Sequence, residues 1–436
     1  MSAAVMQAPA PALATAPAPA APLLAADRSS TSSAQSSETL YDTDAKLDHA
    51  AHKPWKHFSF HSHHQDGQAH KGGKAVVEER SASTKRSTTF WTSFKYLNNL
   101  TPKQVDDYMA SYVIYNLDWE DEPAMIKALG PDYKQKVGDS LRAYYGVMNH
   151  LCALGSVEKM YIPPLMDKRV SVLDNQLLYE ESIARDLGLK PGDRVLDIGC
   201  GRGRVAAHMA KFSGAQITGI NIDPNQIAQA RAYNDQLGLH NTFVERDQND
   251  LPLPFADATF DHFYQIQAFS LCKDIPAMFR EIYRVLKPGA RFSFLDWVSL
   301  PAYDASNPEH AALMRRVKPL IGAVGTPTPA SLEQALRDAG FQVTRSDNAS
   351  VGGLQAPLID KVDVYFRTMR QMILAMVRLH VLPKHFKTLI NRLCLDGQAF
   401  VKMDEMRLIS TSYRIIAVKP ETAPVAAAAA EEAASA

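Results

Sequence analysis

Nine consecutive residues constrain this chain more than any others: Val195-Leu196-Asp197-Ile198-Gly199-Cys200-Gly201-Arg202-Gly203. An apolar strand ends in an acid, and three glycines at alternate positions then open a helix. Glycine lets the backbone turn at positive φ and lets a ligand come close to the main chain. The dinucleotide fingerprint G-x-G-x-x-G would need glycine at 204, where Arg204 stands. The G-x-G-x-G form, with no pyrophosphate to bind, suits a nucleoside carrying an amino-acid tail.

The surroundings turn a short motif into a fold. Short apolar strands recur at 194–198, 216–220, 242–245, 260–266 and 291–298, with helical stretches between most of them. That alternation predicts an α/β fold with a parallel, doubly wound, Rossmann-like sheet. Later strands at 341–344 and 408–418 complete seven. Asn221 ends the second strand 24 residues after Asp197, where a polar side chain can hold ribose hydroxyls. Asp247-Gln248 follows the third strand, placed to reach an adenine edge. Leu286-Lys287-Pro288-Gly289 reads as a helix-ending turn before the fifth strand. Ahead of the sheet, residues 101–145 read as helical. Thr101 serves as N-cap and Pro102 as the first helical residue. A further helix spans about 176–188.

Composition sets the limits of this domain. Of the first 26 residues, 12 are Ala and 5 are Pro, with no charge among them. Residues 1–86 read as a disordered low-complexity tail and 421–436 as an Ala-rich one. The start lacks the basic n-region of a secretory signal. Seven of the fourteen histidines fall between His49 and His70, but no apolar periodic framework surrounds them to fix ligand geometry, so no metal site is assigned. Between the tails we expect a helical cap over 87–189, a nucleoside-binding core over 190–300 and a C-terminal segment over 301–420. With 47 basic against 47 acidic residues, the chain lacks the basic excess of a nucleic-acid binder. The four cysteines form no CxxC pair and fit a reducing compartment, and no apolar run reaches transmembrane length.

Together the glycine loop, Asn221, Asp247-Gln248 and the Lys287-Pro288-Gly289 turn resemble the class I S-adenosylmethionine-dependent methyltransferases. The resemblance narrows to the sterol C-methyltransferase family over about residues 140–420. It is carried by Tyr144-Tyr145, Glu281-Ile282-Tyr283-Arg284-Val285-Leu286-Lys287-Pro288-Gly289, Asp296-Trp297-Val298, Tyr303-Asp304 with Asn307-Pro308-Glu309-His310, and Phe366-Arg367-Thr368. It implies S-adenosylmethionine as methyl donor, held by Asp197, Gly199, Gly201, Gly203, Asn221, Ile222, Asp247, Gln248 and Gln265. It also implies transfer of methyl to carbon of a sterol-like or isoprenoid lipid, with Asp296, Trp297 and Tyr145 at the reacting centre. Alkylating an alkene leaves a carbocation, which aromatic faces stabilise and a base then deprotonates. Tyr144, Tyr161, Tyr264 and Phe269 are further aromatic candidates, each equally suited to core packing.

The chain also departs from the family pattern. An aromatic-rich Tyr-Glu-Tyr-Gly-Trp-Gly stretch is replaced by residues 152–157, a Glu by Gln267 and a His by Leu271, and an acidic segment by Arg315-Arg316 and Lys318. These changes leave open an acceptor with an anionic group facing Arg315, Arg316 or Lys318, or a merely solvated helix face. They also leave open an O- or N-methyltransferase for a hydrophobic small molecule, and a non-catalytic lipid-binding protein. Residues 361–392 combine seven Lys/Arg with an apolar stripe, which suits either peripheral contact with a membrane or packing on the core. The expected partners are therefore a hydrophobic or lipid acceptor and no nucleic acid, with a homo-oligomer left open. The implied location is intracellular, either cytoplasmic or peripheral on the endoplasmic reticulum or lipid droplets.

Overall fold

Strands and helices alternate along the chain as the apolar pattern predicts, and they build one seven-stranded sheet. The computed structural model describes residues 90–421, apart from 118, 120 and 156. The N-terminal tail, the histidine-rich tract and nearly all of the C-terminal tail lie outside the described residues.

The strands are β1 (Arg194–Ile198), β2 (Gln216–Asn221), β3 (Thr242–Glu245), β4 (Phe260–Ile266), β5 (Leu286–Ser299), β6 (Gln342–Asn348) and β7 (Ile409–Val418). Their order is β3-β2-β1-β4-β5-β7-β6. The first five pair in parallel, and β7 runs antiparallel between β5 and β6. The chain leaves β1 toward β2 on one side and returns to β4 on the other. A parallel sheet binds ligands at such a switch point, outside the carboxyl ends of its strands. One expected boundary moves: β5 begins at Leu286, so Lys287–Gly289 forms an irregularity within that strand, with Gly289 at φ +77°.

Helices α1 (90–98), α2 (Pro102–Ala110), α3 (Glu122–Leu129) and α4 (Tyr133–Leu154) form the cap. Helices α5 (Val172–Leu187), α6 (Arg204–Ser213), α7 (Pro224–Gln236), α8 (Ile275–Val285), α9 (Pro308–Ile321) and α10 (Pro329–Asp338) follow the strand alternation. Helices α11 (Ala356–Arg378), α12 (His385–Leu393) and α13 (Gly397–Glu405) precede β7. Their starts are written locally. Thr101 and Gln104 form a capping box before Pro102, while Asp223, Asn307 and Thr328 each cap a helix whose first residue is proline. Helix α6 is different. Its N-cap is Gly203 at φ +65°, with no side-chain cap, so its first N–H groups face the carboxyl end of the sheet.

Three apolar cores matter for the site. Phe263, Phe279, Phe292, Phe294 and Leu336 fill one face of the sheet. Tyr179, Ile183, Ile217, Phe243 and Leu295 fill the other, so α5 belongs to the sheet layer and not to the cap where the sequence suggested it. The third core joins the two segments that flank the sheet in sequence. Tyr108, Tyr115, Leu141 and Tyr144 of the cap pack with Met369, Ile373, Phe386, Leu389 and Ile390 of α11 and α12. Met369 and Ile373 of the apolar stripe in residues 361–392 therefore form a packing face, while Val364, Met372 and Leu379 stay exposed. No helix among the described residues is long and apolar enough to cross a membrane.

Candidate active site

The glycine loop between β1 and α6 shows why three glycines recur. Gly199 has φ +80°, and a Cβ there would lie 2.3 Å from the Ala268 Cβ. Gly203 has φ +65°, and its Cβ would meet Ala230, Asn234 and Phe243 at 2.8–2.9 Å. The first glycine lets the loop after β4 approach, and the last lets α6 settle on α7 and β3. Gly201, at φ +52°, faces the space between them.

That space is a cleft of about 1060 Å³, its open mouth included. Asp197, Gly199, Gly201, Asn221, Ile222, Asp247 and Gln248 all line it. Gly203 and Gln265 do not. Gln265 is fully buried and bonds the Leu295 carbonyl and the Ala268 N–H, so it shapes the loop after β4 instead of facing a ligand. Asp197 accepts a hydrogen bond from the Tyr264 hydroxyl at 2.9 Å, and burial raises its pKa to about 7.

The proposed reacting groups separate. Tyr145 lines the cleft from α4, whereas Asp296 and Trp297 stand outside its lining. Asp296 is buried, and its oxygens accept from the Phe269 and Trp297 N–H groups, each at 2.8 Å. Burial takes its pKa to about 7, against the pull of those N–H groups. Trp297 points into a separate core with Leu313, Met314 and Phe400, its indole N–H buried without a partner among the described residues. Burial first, then the Asp296 charge, pushes the Tyr145 phenol well up, so it stays protonated. Behind Tyr145 lies a tyrosine cluster. The Tyr144 ring centroid is 5.1 Å from Tyr145, 5.3 Å from Tyr112, 5.5 Å from Tyr115 and 6.2 Å from Tyr108. Tyr161 and Tyr264 also line the cleft, and Phe269 packs in the sheet core.

Several lining residues were not singled out from sequence. The segment joining α4 to α5 carries Glu158, Lys159, Met160 and Tyr161 into the cleft. Lys159 Nζ bonds both Glu180 oxygens, at 2.6 and 2.7 Å, and Tyr161 and His208 bond the same fully buried carboxylate. Gln267, where the family pattern has Glu, holds the segment further along. Its Oε1 accepts from the Ile162 N–H at 2.9 Å, and its Nε2 donates to the Ile162 and Thr411 carbonyls at 2.8 and 2.7 Å. Leu271 lines the cleft and joins the tyrosine core. By contrast Arg315 is exposed on α9 and Arg316 pairs with Asp396 at 2.9 Å, and neither residue lines the cleft.

Polar atoms on the cleft wall have no hydrogen-bond partner among the described residues: Asn221 Nδ2, Asn149 Oδ1 and Arg246 Nε, with Arg204 Nε and Nη1, whose guanidinium is held only by the Glu158 charge and the Tyr233 ring. Buried polar atoms are normally paired, so this mixture of donors and an acceptor fits a polar ligand. Asn221 and Asp247-Gln248 beside the glycine loop fit a nucleoside, and the atoms near the loop itself fit a charged tail.

A methyltransferase-domain family model matches residues 196–294. The chain is 31% identical over 253 residues to a botryococcene C-methyltransferase of Botryococcus braunii, covering 57% of this chain and 67% of that protein. It is 30% identical over 265 residues to a sterol 24-C-methyltransferase of Eremothecium gossypii, covering 56% of this chain and 71% of that protein. This chain is a class I S-adenosylmethionine-dependent methyltransferase of the sterol C-methyltransferase family. The alignment with the methyltransferase phqN of Penicillium fellutanum, 34% identical, covers 48% of this chain and 60% of that relative's own length. The solved (4+2)-cyclase SpnF shares the fold at TM-score 0.51 and 21% identity, covering 65% of this chain and 96% of that chain. Fold alone therefore does not decide the reaction within this methyltransferase architecture.

Proposed function

We propose that this protein transfers a methyl group from S-adenosylmethionine to a carbon of a neutral sterol-like or isoprenoid lipid. The observation that carries the reading is Tyr145, the edge of a five-tyrosine cluster standing on the wall of the same cleft as the glycine loop. S-adenosylmethionine supplies an electrophilic methyl on a sulfonium. Asn221 would hold its ribose, and Asp247 and Gln248 would flank its adenine. The 190–300 core would thus hold the cofactor and share the acceptor's wall with 87–189, while α11 and α12 back that wall through the tyrosine core.

Leu141, Met160, Ile222, Ile266 and Leu271 give the acceptor side an apolar lining, which favours a hydrocarbon chain or ring system. Tyr145 presents its π face to the positive charge that develops on the alkylated carbon. Asp296, buried behind that wall with a pKa raised to about 7, would add negative potential there when ionised, without touching the acceptor. It is a positioning residue in this scheme, as is Trp297. The names of the botryococcene and sterol relatives support carbon as the acceptor atom. The test is incubation with methyl-labelled S-adenosylmethionine and a total lipid extract, then mass analysis of labelled products. Label on carbon of a neutral lipid is the expected result. Label on oxygen or nitrogen overturns it, and lipid binding without label transfer points to a non-catalytic protein.

A further inference from the structure

Two buried side chains in the cleft have no role in the scheme above, and they have opposite polarity. Arg202, between the second and third glycines, is only 6% exposed. Both of its bonds come from Nη2, to the Glu158 carbonyl at 3.0 Å and the Val157 carbonyl at 3.4 Å. Its Nε and Nη1 make no hydrogen bond among the described residues and are not sealed from solvent, so they open onto the cleft, and no carboxylate pairs with it there. Arg204 is taken up differently, by Glu158 at 3.6 Å and by the Tyr233 ring at 3.4 Å. Asn149, on α4, is 4% exposed, and its Oδ1 is buried with no donor. Both residues line the same cleft.

A buried guanidinium with free N–H groups calls for an anion, and a buried carbonyl oxygen calls for a donor. An α-amino acid offers both from one carbon. We propose that Arg202 and Asn149 form a clamp for the amino-acid tail of the cofactor, with Arg202 on the carboxylate and Asn149 Oδ1 on the ammonium group. This rests on the cofactor reading above and adds two specificity residues to it. It makes one jaw of the cofactor site part of the cap. It also ties the Val157–Glu158 backbone, which Arg202 already holds, to the occupancy of the tail site.

The test is calorimetric binding to the full chain of four ligands: S-adenosylmethionine, S-adenosylhomocysteine, decarboxylated S-adenosylmethionine and methylthioadenosine. The third lacks only the carboxylate, and the fourth lacks the whole tail. The wild type should prefer S-adenosylmethionine over its decarboxylated form by about 10- to 100-fold, the worth of a charge-assisted bond. Arg202→Met should bring those two within about threefold, and Arg202→Lys should restore part of the gap. Asn149→Leu should weaken both ligands about tenfold, since both keep the amine, and leave methylthioadenosine unchanged. Equal wild-type affinity for the carboxylated and decarboxylated forms overturns the clamp while the cofactor reading stands, and it needs no variant to fold. Uniform weakening of every ligand by Arg202→Met would reduce Arg202 to a structural staple and also overturn it. Failure of the wild type to bind any of the four would overturn the cofactor reading and the clamp together.

Discussion

Restoring the family's acid at position 267 should damage this protein, and the amount can be worked from three distances. The Gln267 amide accepts from the Ile162 N–H at 2.9 Å and donates to the Ile162 and Thr411 carbonyls at 2.8 and 2.7 Å. A glutamate keeps the first bond, but when ionised it turns two donor contacts into oxygen facing oxygen. Two lost bonds at roughly 0.5–1.5 kcal/mol each, with carbonyls left facing a carboxylate, make a loss of about 2–4 kcal/mol for Gln267→Glu at pH 8.5. For a folded domain of this size that is a fall of roughly 3–8 °C in melting temperature. The environment favours the neutral carboxyl, which regains one donor, so the folded pKa of the new group lies above its unfolded value of about 4.3. A group shifted this way carries no ionisation penalty below its unfolded pKa, leaving only the one lost bond, and its full penalty above its folded one. The gap from wild type should therefore be widest at pH 8.5 and should shrink toward pH 5.5. Gln267→Met should lose a similar amount at every pH. Thermal unfolding by circular dichroism at both pH values decides it. A Gln267→Glu protein as stable as wild type at pH 8.5, or a gap unchanged between the two pH values, would refute the reasoning.

Gly199→Ala forces a Cβ to within 2.3 Å of Ala268 at φ +80° and should cost roughly 3 kcal/mol or more, with loss of S-adenosylhomocysteine binding by calorimetry. Asp197→Asn removes a carboxylate whose folded pKa of about 7 exceeds its unfolded value. The wild type thus loses stability as pH rises through 7, and the variant should gain roughly 1–3 kcal/mol on it between pH 5 and pH 8 in denaturant titrations. A constant difference would contradict the burial argument. Arg315→Ala and Arg316→Ala lie off the cleft and should leave labelled methyl transfer within about twofold, as expected for exposed charges. A tenfold loss would bring back an anionic acceptor. On the proposed reaction Tyr145→Phe keeps the π face and should hold its rate within about threefold, while Tyr145→Leu should lose about tenfold at unchanged cofactor affinity. Equal damage from both would assign the role to the hydroxyl.

What the sequence made legible was local. Val195-Leu196 with Ile198 reads as a buried parallel strand because such a strand is apolar on both faces up to its carboxyl end, where Asp197 stands, and Thr101-Pro102-x-Gln104 reads as a helix start because its capping bonds close within four residues. Asn221 and Asp247 could be placed because strand ends in a doubly wound sheet fall at one edge. Asp296 was harder. A carboxylate at the end of β5 can face a ligand or hold a neighbouring loop, and the choice depends on the N–H of Phe269, 27 residues away. The same limit hid Gln267, whose partner Ile162 lies 105 residues off, and the union of the cap with α11 and α12. Arg202 did carry a signal, since a charged residue between two loop glycines must either be paired or face a ligand. Sequence alone could not choose between those roles.

The two positions where this chain lacks the family's titratable groups have become parts of the wall. Gln267 anchors the segment that brings Lys159, Met160 and Tyr161 into the cleft, and Glu180 fixes the same segment from α5 through Lys159 and Tyr161. Leu271 extends the tyrosine core up to the cleft surface. The carboxylates that still line the cleft are Glu158, Asp197 and Asp247, on the cap linker, in β1 and just after β3. The wall around Tyr145 offers π faces and aliphatic carbon instead, with Asp296 acting through it from behind. On the proposed reaction, a cation formed at that wall would be held by polarisable surface and by Asp296 when ionised, with no lining carboxylate in the wall to collapse onto. On the proposed reaction an acceptor that must be deprotonated before attack finds no base at that end, and the alkylated cation would give up its proton afterwards to water entering through the open mouth of the cleft.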